Sequence, residues 1–341
     1  MIAITGGGTG GHLVIAKAIK EELVKQGIKP VYIGSVSGQD QQWFAHDSDF
    51  EQIYFLSSRG VVDKKGLQKL LSLKQTLSLA FECKHLFKKH RIKAVFSVGG
   101  YSAAPASFGA LLAGIPLYIH EQNAITGKLN ALLKPFSKAF FSSYDPTGIL
   151  TDYPIREAFF ENQRIRKELK NILFLGGSQG ASFINQLAMQ MAPFLHEQGI
   201  GIFHQTGTKE FELVSEFYKT SGIPATVFAF SNEMPALLKQ ADVAISRSGA
   251  STLWELCASA LPAIFIPFPH AAKNHQFFNA KALSNKDLAF ISPQSDTNAE
   301  KIVTILQTMD LEKISLGLSN TIHQGGAKTI VNTLLIALKE H

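Results

Sequence analysis

The feature that most constrains this chain is a pattern that occurs twice: a short apolar run, a glycine-rich turn, then an amphipathic helix. The first copy runs Met1–Thr5, Gly6–Gly11 and Leu13–Lys25, with a second strand expected over Pro30–Gly34. The second restarts at Asn171, with Ile172–Leu175, Gly176–Gly180 and Ala181–Leu195. Between and beyond them, short apolar runs end in polar or glycine motifs. These are Ala94–Val98 before Gly99-Gly100-Tyr101, and Pro116–Ile119 before His120-Glu121-Gln122-Asn123. In the second half Ile200–His204, Thr226–Phe228, Val243–Ser246 and Ala263–Ile266 read the same way. Strands alternating with helices predict doubly wound parallel sheets of α/β class. At 341 residues the chain has room for two such Rossmann-like domains. Tyr144–Arg164, with Pro146, Gly148 and Pro154 and little periodicity, reads as the linker. Ligands of such sheets sit beyond the carboxyl ends of the strands, where each of these motifs falls.

Composition narrows the function. Hydrophobic residues at 45% against 18% charged allow a sizeable core and argue against disorder. Cys83 and Cys257 make no disulfide framework and lack metal-ligand spacing, which suits a reducing compartment. No signal peptide is expected from the first residues. The apolar stretches Ala103–Ile119 and Leu256–Phe268 are interrupted by Gly or Pro, so no spanning helix is expected. A net charge of +6 suits an anionic partner without choosing among nucleotide, nucleic acid and anionic lipid. Asp47-Ser48-Asp49 matches the D-x-D pattern of metal-dependent transferases. It lies in a loop before the strand Gln52–Leu56, away from the glycine turns, and reads as coincidence. No metal site is expected.

Each motif has more than one reading. Gly6, Gly8 and Gly11 fit G-x-G-x-x-G, but a dinucleotide site needs an acid closing the second strand. That strand ends in Ser35 and the nearest acid is Asp40. The glycines with the following helix N-terminus suit an anion instead. His12 opens that helix, either as a general base or as a group that positions the loop. His120–Asn123 puts four polar side chains at a strand end, where packing seldom needs them, and Glu121 is a second candidate base. Ser178 caps a helix, binds a phosphate, or does both. Glu255 suits ribose hydroxyls, while Thr252 and Glu255 also fit a capping box. Asn274, His275 and Gln276 suit sugar hydroxyls as well as an ordinary polar loop. Between Lys64 and Arg91, Leu70, Leu73, Leu77, Ala80 and Phe87 follow helical spacing as a core stripe. Leu67, Leu71, Leu79 and Phe81 lie partly off it, and Lys84, Lys88 and Lys89 crowd the end. That arrangement leaves room for an interfacial face on anionic lipid.

Taken in order, these motifs resemble the GT-B glycosyltransferase family of peptidoglycan synthesis that makes lipid II. The resemblance rests on Gly7–His12, Gly99–Tyr101, His120–Asn123, Gly176–Gly180, Arg247–Ala250 with Thr252 and Glu255, and His275-Gln276 with Asn279-Ala280. It implies two Rossmann-like domains facing a central cleft, an acceptor and membrane-docking domain over 1–152 and a donor domain over 153–341. The last helix would cross back to the first domain. It implies an inverting, metal-independent transfer without a cofactor, in which the 4-hydroxyl of MurNAc in lipid I attacks UDP-GlcNAc and expels UDP. His12, Glu121 and Asn123 would then be catalytic. The donor would meet Thr9, Gly10, Gly11, Asn123, Arg156, Ser178, Ser231, Ala250, Ser251, Thr252, Leu253, Trp254, Glu255 and Gln276. Gly99, Gly100 and Tyr101, with the Thr9–His12 loop, would hold the lipid I diphosphate. The implied partners are UDP-GlcNAc, lipid I and an anionic membrane surface on the cytoplasmic face of the bacterial inner membrane. Contacts with other cell-wall synthesis proteins also fit, and nucleic acid does not. The chain departs from the family pattern in having Ile15 where Pro is usual, Tyr153-Pro154-Ile155 before Arg156, and Ser231 where aliphatic residues are common.

Overall fold

The computed structural model describes residues 1–58, 60, 66–177 and 180–339. It divides into two compact units, Met1–Ile155 with Gly325–His341, and Arg156–Gln324. The division falls three residues after the boundary expected from sequence, and the last helix belongs to the first unit.

In the first unit β1 (Ile2–Thr5), β2 (Val31–Ser35), β3 (Gln52–Leu56), β4 (Ala94–Ser97), β5 (Leu117–Glu121), β6 (Ala139–Ser142) and β7 (Ile149–Leu150) form one sheet. Its order is β3-β2-β1-β4-β5-β6-β7, with parallel pairing throughout. The chain winds outward from β1 to β3 and then returns to β4 beside β1, so the loops after β1 and β4 meet at the switch point. β1 and β4 are buried along their whole length because helices cover both faces, which is why they read as unbroken apolar runs. The helices are α1 (Gly10–Lys25), α2 (Asp40–Phe44), α3 (Gly66–Lys89), α4 (Ala104–Ala113) and α5 (Lys128–Leu133).

α1 starts three residues earlier than its apolar periodicity suggests, with Thr9 as N-cap and Gly10 and Gly11 already helical. α3 corrects the sequence reading more strongly. Leu70, Leu73 and Leu77 are 64%, 50% and 48% exposed, whereas Ser72, Thr76, Ala80, Cys83 and Phe87 are buried. The side chain of Leu67 lies outside what the structure describes. The reason for the reversal lies on α4. A Cβ on Gly109 would fall 2.8 Å from both the Ala80 carbonyl and the Cys83 Cβ, so the two backbones approach too closely for leucines. The face of Ser72, Thr76, Ala80, Cys83 and Phe87 packs, so Ala80 and Phe87 are core as expected while Leu70, Leu73 and Leu77 are left outside.

The second unit holds β8 (Asn171–Leu175), β9 (Gly201–Gln205), β10 (Thr226–Phe228), β11 (Val243–Ser246), β12 (Ala263–Phe265) and β13 (Phe290–Ile291). Their order, β10-β9-β8-β11-β12-β13, is again parallel and again reverses beside its first strand. Its helices are α6 (Ala158–Glu161), α7 (Ser182–Glu197), α8 (Phe211–Ser221), α9 (Met234–Gln240), α10 (Ala250–Ala258), α11 (His275–Ser284), α12 (Ala299–Thr308) and α13 (Leu311–Ser319). The final helix, α14 (Gly326–Lys339), packs on α1 of the first unit, where Gln26 Nε2 donates to Asn332 Oδ1 at 3.0 Å. Among the described residues no helix is long and apolar enough to cross a membrane.

Candidate functional site

At the switch point of the first unit, two glycine turns lie back to back. Gly7 N–H donates to the Gly99 carbonyl at 3.2 Å. A Cβ on Gly6 would strike Gly99, one on Gly100 would strike the Gly7 carbonyl, and both residues have positive φ. Glycine is required here by close approach as well as by conformation. Tyr101 follows, its ring against Gly8 and its hydroxyl donating to the Ser37 carbonyl.

His12 stands in the first turn of α1. Its Nδ1 lies 3.0 Å from Thr9 Oγ1 and its Nε2 3.0 Å from Gln122 Nε2. With the Gln122 amide N–H turned to Nε2, that nitrogen accepts and Nδ1 carries the proton toward Thr9 Oγ1. A neutral imidazole with a lone pair on Nε2 is the form a general base needs. His120, at the end of β5, is fully buried, and burial together with His12 pushes its pKa down to about 3. It packs edge-on against Tyr153 at 5.7 Å.

Glu121, the alternative base, has a different duty. One oxygen accepts the backbone N–H and side-chain amide of Asn123 at 3.0 and 3.4 Å. The other accepts Gly127 N–H and Asn130 Nδ2, each at 2.9 Å. With 2% exposure and both oxygens occupied, it holds the 122–127 loop in place. Asn123 is carried on that loop, partly exposed. Asp40, which lies too far along the sequence from β2 to fit the dinucleotide pattern, is the acid that closes this strand. Its side chain points inward and is fully buried, so it offers no oxygen to a dinucleotide ribose.

In the second unit the turn after β8 brings Gly180 (φ +76) against the Thr206 carbonyl, where a Cβ would fall at 2.6 Å. Ser178, expected at the diphosphate, lies outside the described residues. α10 begins at Ala250 with Gly249 as N-cap and no side-chain cap bond. Thr252 and Glu255 therefore stand within the helix, and the capping-box reading of Glu255 is excluded. The Glu255 carboxylate accepts no hydrogen bond from the described residues. Burial pushes its pKa up to about 7 against a smaller opposing pull from Arg156. Arg156, whose guanidinium lies 5.3 Å over the Phe159 ring, is thereby placed near that carboxylate.

Other expected donor contacts divide. Leu253 is fully buried and its N–H is spent on the Gly249 carbonyl at 2.9 Å, so its side chain belongs to the core. Trp254 is also in the core, 6% exposed. Ala250 and Ser251, at the helix start, are nearly buried, and Thr252 is partly open. Ser231 follows β10 at the sheet edge, three strands from β11, with its Oγ accepting Glu233 N–H at 3.0 Å. Gln276 opens α11 behind two residues in left-handed conformation, Lys273 and Asn274. Its Oε1 accepts Phe268 N–H at 2.9 Å, which leaves the amide NH2 to donate. Asn279 ties α11 to the Ser248 carbonyl at 3.2 Å.

Arg247 carries a role that its motif did not announce. It donates to the carbonyls of Ile266 and Pro267 at 3.0 and 3.2 Å and to Gln294 at 2.7 Å, clamping the loops after β11 and β12. Burial lowers its pKa to about 10, so it stays charged at neutral pH. The D-x-D pair is likewise explained. Asp47 and Asp49 grip Lys20, whose side chain is 4% exposed, at 3.0 and 2.9 Å.

Two Rossmann-like parallel sheets in one chain, each with a glycine loop at its switch point, are the architecture of the GT-B glycosyltransferases. Residues 2–142 match the glycosyltransferase family 28 N-terminal domain, and residues 171–334 match the family 28 C-terminal domain. A relative from Campylobacter fetus is 54% identical over 98% of this chain and 99% of its own length. It is named UDP-N-acetylglucosamine–N-acetylmuramyl-(pentapeptide) pyrophosphoryl-undecaprenol N-acetylglucosamine transferase. A relative of the same name from Wolinella succinogenes is 48% identical over 98% of this chain and 99% of its own. The crystal structure of Acinetobacter baumannii MurG superposes with a TM-score of 0.80 at 26% identity, covering 98% of each chain. The chain belongs to the MurG family of glycosyltransferases.

Proposed function

We propose that the chain transfers N-acetylglucosamine from UDP-GlcNAc to the MurNAc 4-hydroxyl of lipid I, with inversion at the anomeric carbon. The observation that carries the donor half is Glu255, a carboxylate on a helix next to a glycine N-cap, without a hydrogen-bond partner among the described residues. Ribose hydroxyls are the donors it lacks. The N-terminus of α10 supports the diphosphate, because the positive end of a helix dipole favours negative charge. Arg156 adds a cation beside it, and the Gln276 amide donates to the sugar. In the first unit the Gly99–Tyr101 turn and the Thr9–His12 start of α1 hold the acceptor diphosphate. The acceptor hydroxyl takes the place of the Gln122 amide at His12 Nε2 and gives its proton to that atom. Its oxygen bonds to the anomeric carbon as the bond to the diphosphate oxygen breaks, and the electron pair leaves with UDP. Asn123 orients the reacting groups.

The exposed face of α3 docks on anionic lipid. Leu70, Leu73, Leu77 and Phe81 form a solvent-facing stripe that runs on toward Lys84 and Lys88. Reversing the charges of Lys84, Lys88 and Lys89 should weaken binding to phosphatidylglycerol vesicles by about 100-fold or more, since each basic residue near such a surface contributes roughly 1 kcal/mol. Unchanged vesicle binding would make the stripe an ordinary exposed face. The activity itself is tested by incubating the chain with UDP-GlcNAc and a short-chain lipid I analogue and determining the product linkage by NMR. A β-1,4-linked disaccharide supports the reading. Transfer to diacylglycerol in its place would move the chain to another lipid acceptor.

A further inference from the structure

We propose that Asp40 is a positioning residue of the acceptor site, a buried carboxylate that sets the path of the Gly6–Gly8 turn so that Thr9 and His12 face the acceptor. This role rests on the acceptor reading of the first unit. Asp40 is fully buried at the start of α2, 32 residues from the turn it controls. Its Oδ2 accepts the Gly8 N–H at 2.6 Å, and its Oδ1 accepts the Ser35 N–H at 3.0 Å and faces the Tyr32 hydroxyl at 3.1 Å. The same tyrosine hydroxyl lies 2.9 Å from the Gly6 carbonyl. Two residues are glycine because this side chain is there: a Cβ on Gly7 or on Gly34 would fall 2.6 Å from Oδ1. The Gly8 N–H is therefore turned inward, away from any anion at the loop. A ligand diphosphate must instead be met by Thr9 and the start of α1.

A negative charge behind an anion site opposes binding by Coulomb repulsion, so its presence there calls for a compensating gain. Two backbone N–H donors, with the Tyr32 hydroxyl shared between Oδ1 and the Gly6 carbonyl, supply it by holding the loop in one path. An asparagine in the same place cannot serve all three, because one of them would then face an amide NH2. The opposing electrostatic and positioning effects give opposite signs on substitution, which makes the proposal decidable.

The test compares the full-length chain with Asp40→Asn and Tyr32→Phe. The readouts are kinetics on a short-chain lipid I analogue, UDP affinity by calorimetry, melting temperature, and amide hydrogen exchange of residues 6–12. Asp40→Asn should lower kcat/KM for the acceptor roughly 10- to 100-fold and speed exchange in 6–12, while UDP affinity stays within about twofold, since one or two buried hydrogen bonds are lost locally. Tyr32→Phe should act in the same direction by about threefold, and it carries the test if Asp40→Asn does not fold. Unchanged or improved acceptor kinetics would overturn the proposal, and so would an equal loss of UDP affinity. If the wild type fails to use the lipid I analogue, the acceptor reading is what fails. The exchange arm still decides Asp40 in that case, and unchanged exchange in 6–12 would overturn it.

Discussion

Glu121 and Glu255 occupy similar places, one at the carboxyl end of a central strand and one in the helix that follows such a strand. Their surroundings are opposite. Glu121 receives four hydrogen bonds from its own loop and from Asn130. Glu255 receives none from the described residues, and its pKa is pushed up to about 7. A carboxylate whose oxygens are all matched is part of the scaffold, because removing it strands buried donors. One left partly open and unmatched lacks that compensation for its burial, which shows as its raised pKa. Residue type is the same for both, and the hydrogen-bond census separates their roles.

With Glu121 spent on its loop and Glu255 assigned to the donor in the proposed function, His12 is the base that reading requires. His12→Ala should therefore show the largest effect, a loss of about 10²- to 10⁴-fold in kcat with UDP affinity near normal. Full turnover would return the base to one of the acids. Next, Glu255→Ala should weaken UDP binding about 100-fold in calorimetry while leaving the melting temperature nearly unchanged, as expected for two lost charge-assisted hydrogen bonds. Undiminished affinity would leave the open carboxylate without a ligand.

The pH dependence separates the two acids further. Folded Glu255 keeps its proton up to about pH 7, against an ordinary value of 4.5. Between those values the folded state binds more protons than the unfolded one, so this group's contribution to stability falls as pH rises through that window. UDP binding needs the carboxylate and moves the other way. Affinity should rise about tenfold from pH 6 to pH 8 relative to Glu255→Gln, tracking the ionised fraction of a group with pKa near 7. Parallel profiles would remove Glu255 from the ribose. The smallest functional effect belongs to Glu121→Gln, which should cost about 2 kcal/mol of stability in denaturant titration and leave UDP affinity intact. A variant as stable as wild type but defective in donor binding would invert the comparison.

The double parallel sheet is legible in the sequence because strand and glycine turn recur in register with the topology, and buried strands read as apolar runs. α3 misleads because periodicity reports which positions share a face and not which face packs. The decision comes from Gly109 on another helix, 26 residues from Cys83. The sites are legible as motifs but less so as roles. Arg247 and Glu121 stand in recognisable motifs, yet their partners Ile266, Gln294 and Asn130 are remote or unmarked in sequence. Asp40 escapes a pattern that looks for an acid at the strand end itself. A loop brings it back to Ser35 from five residues away. The capping box at Thr252 and Glu255 fails because the helix starts at Ala250, set by the turn at Gly249 and not by the side chains.

The central claim, acceptor-dependent and metal-independent transfer, is tested most directly by release of UDP from UDP-GlcNAc by the full-length chain. Release is measured with and without a short-chain lipid I analogue, and with EDTA present. It should depend on the acceptor and survive EDTA. Release without acceptor, or none with acceptor while UDP-GlcNAc still binds, would contradict the claim.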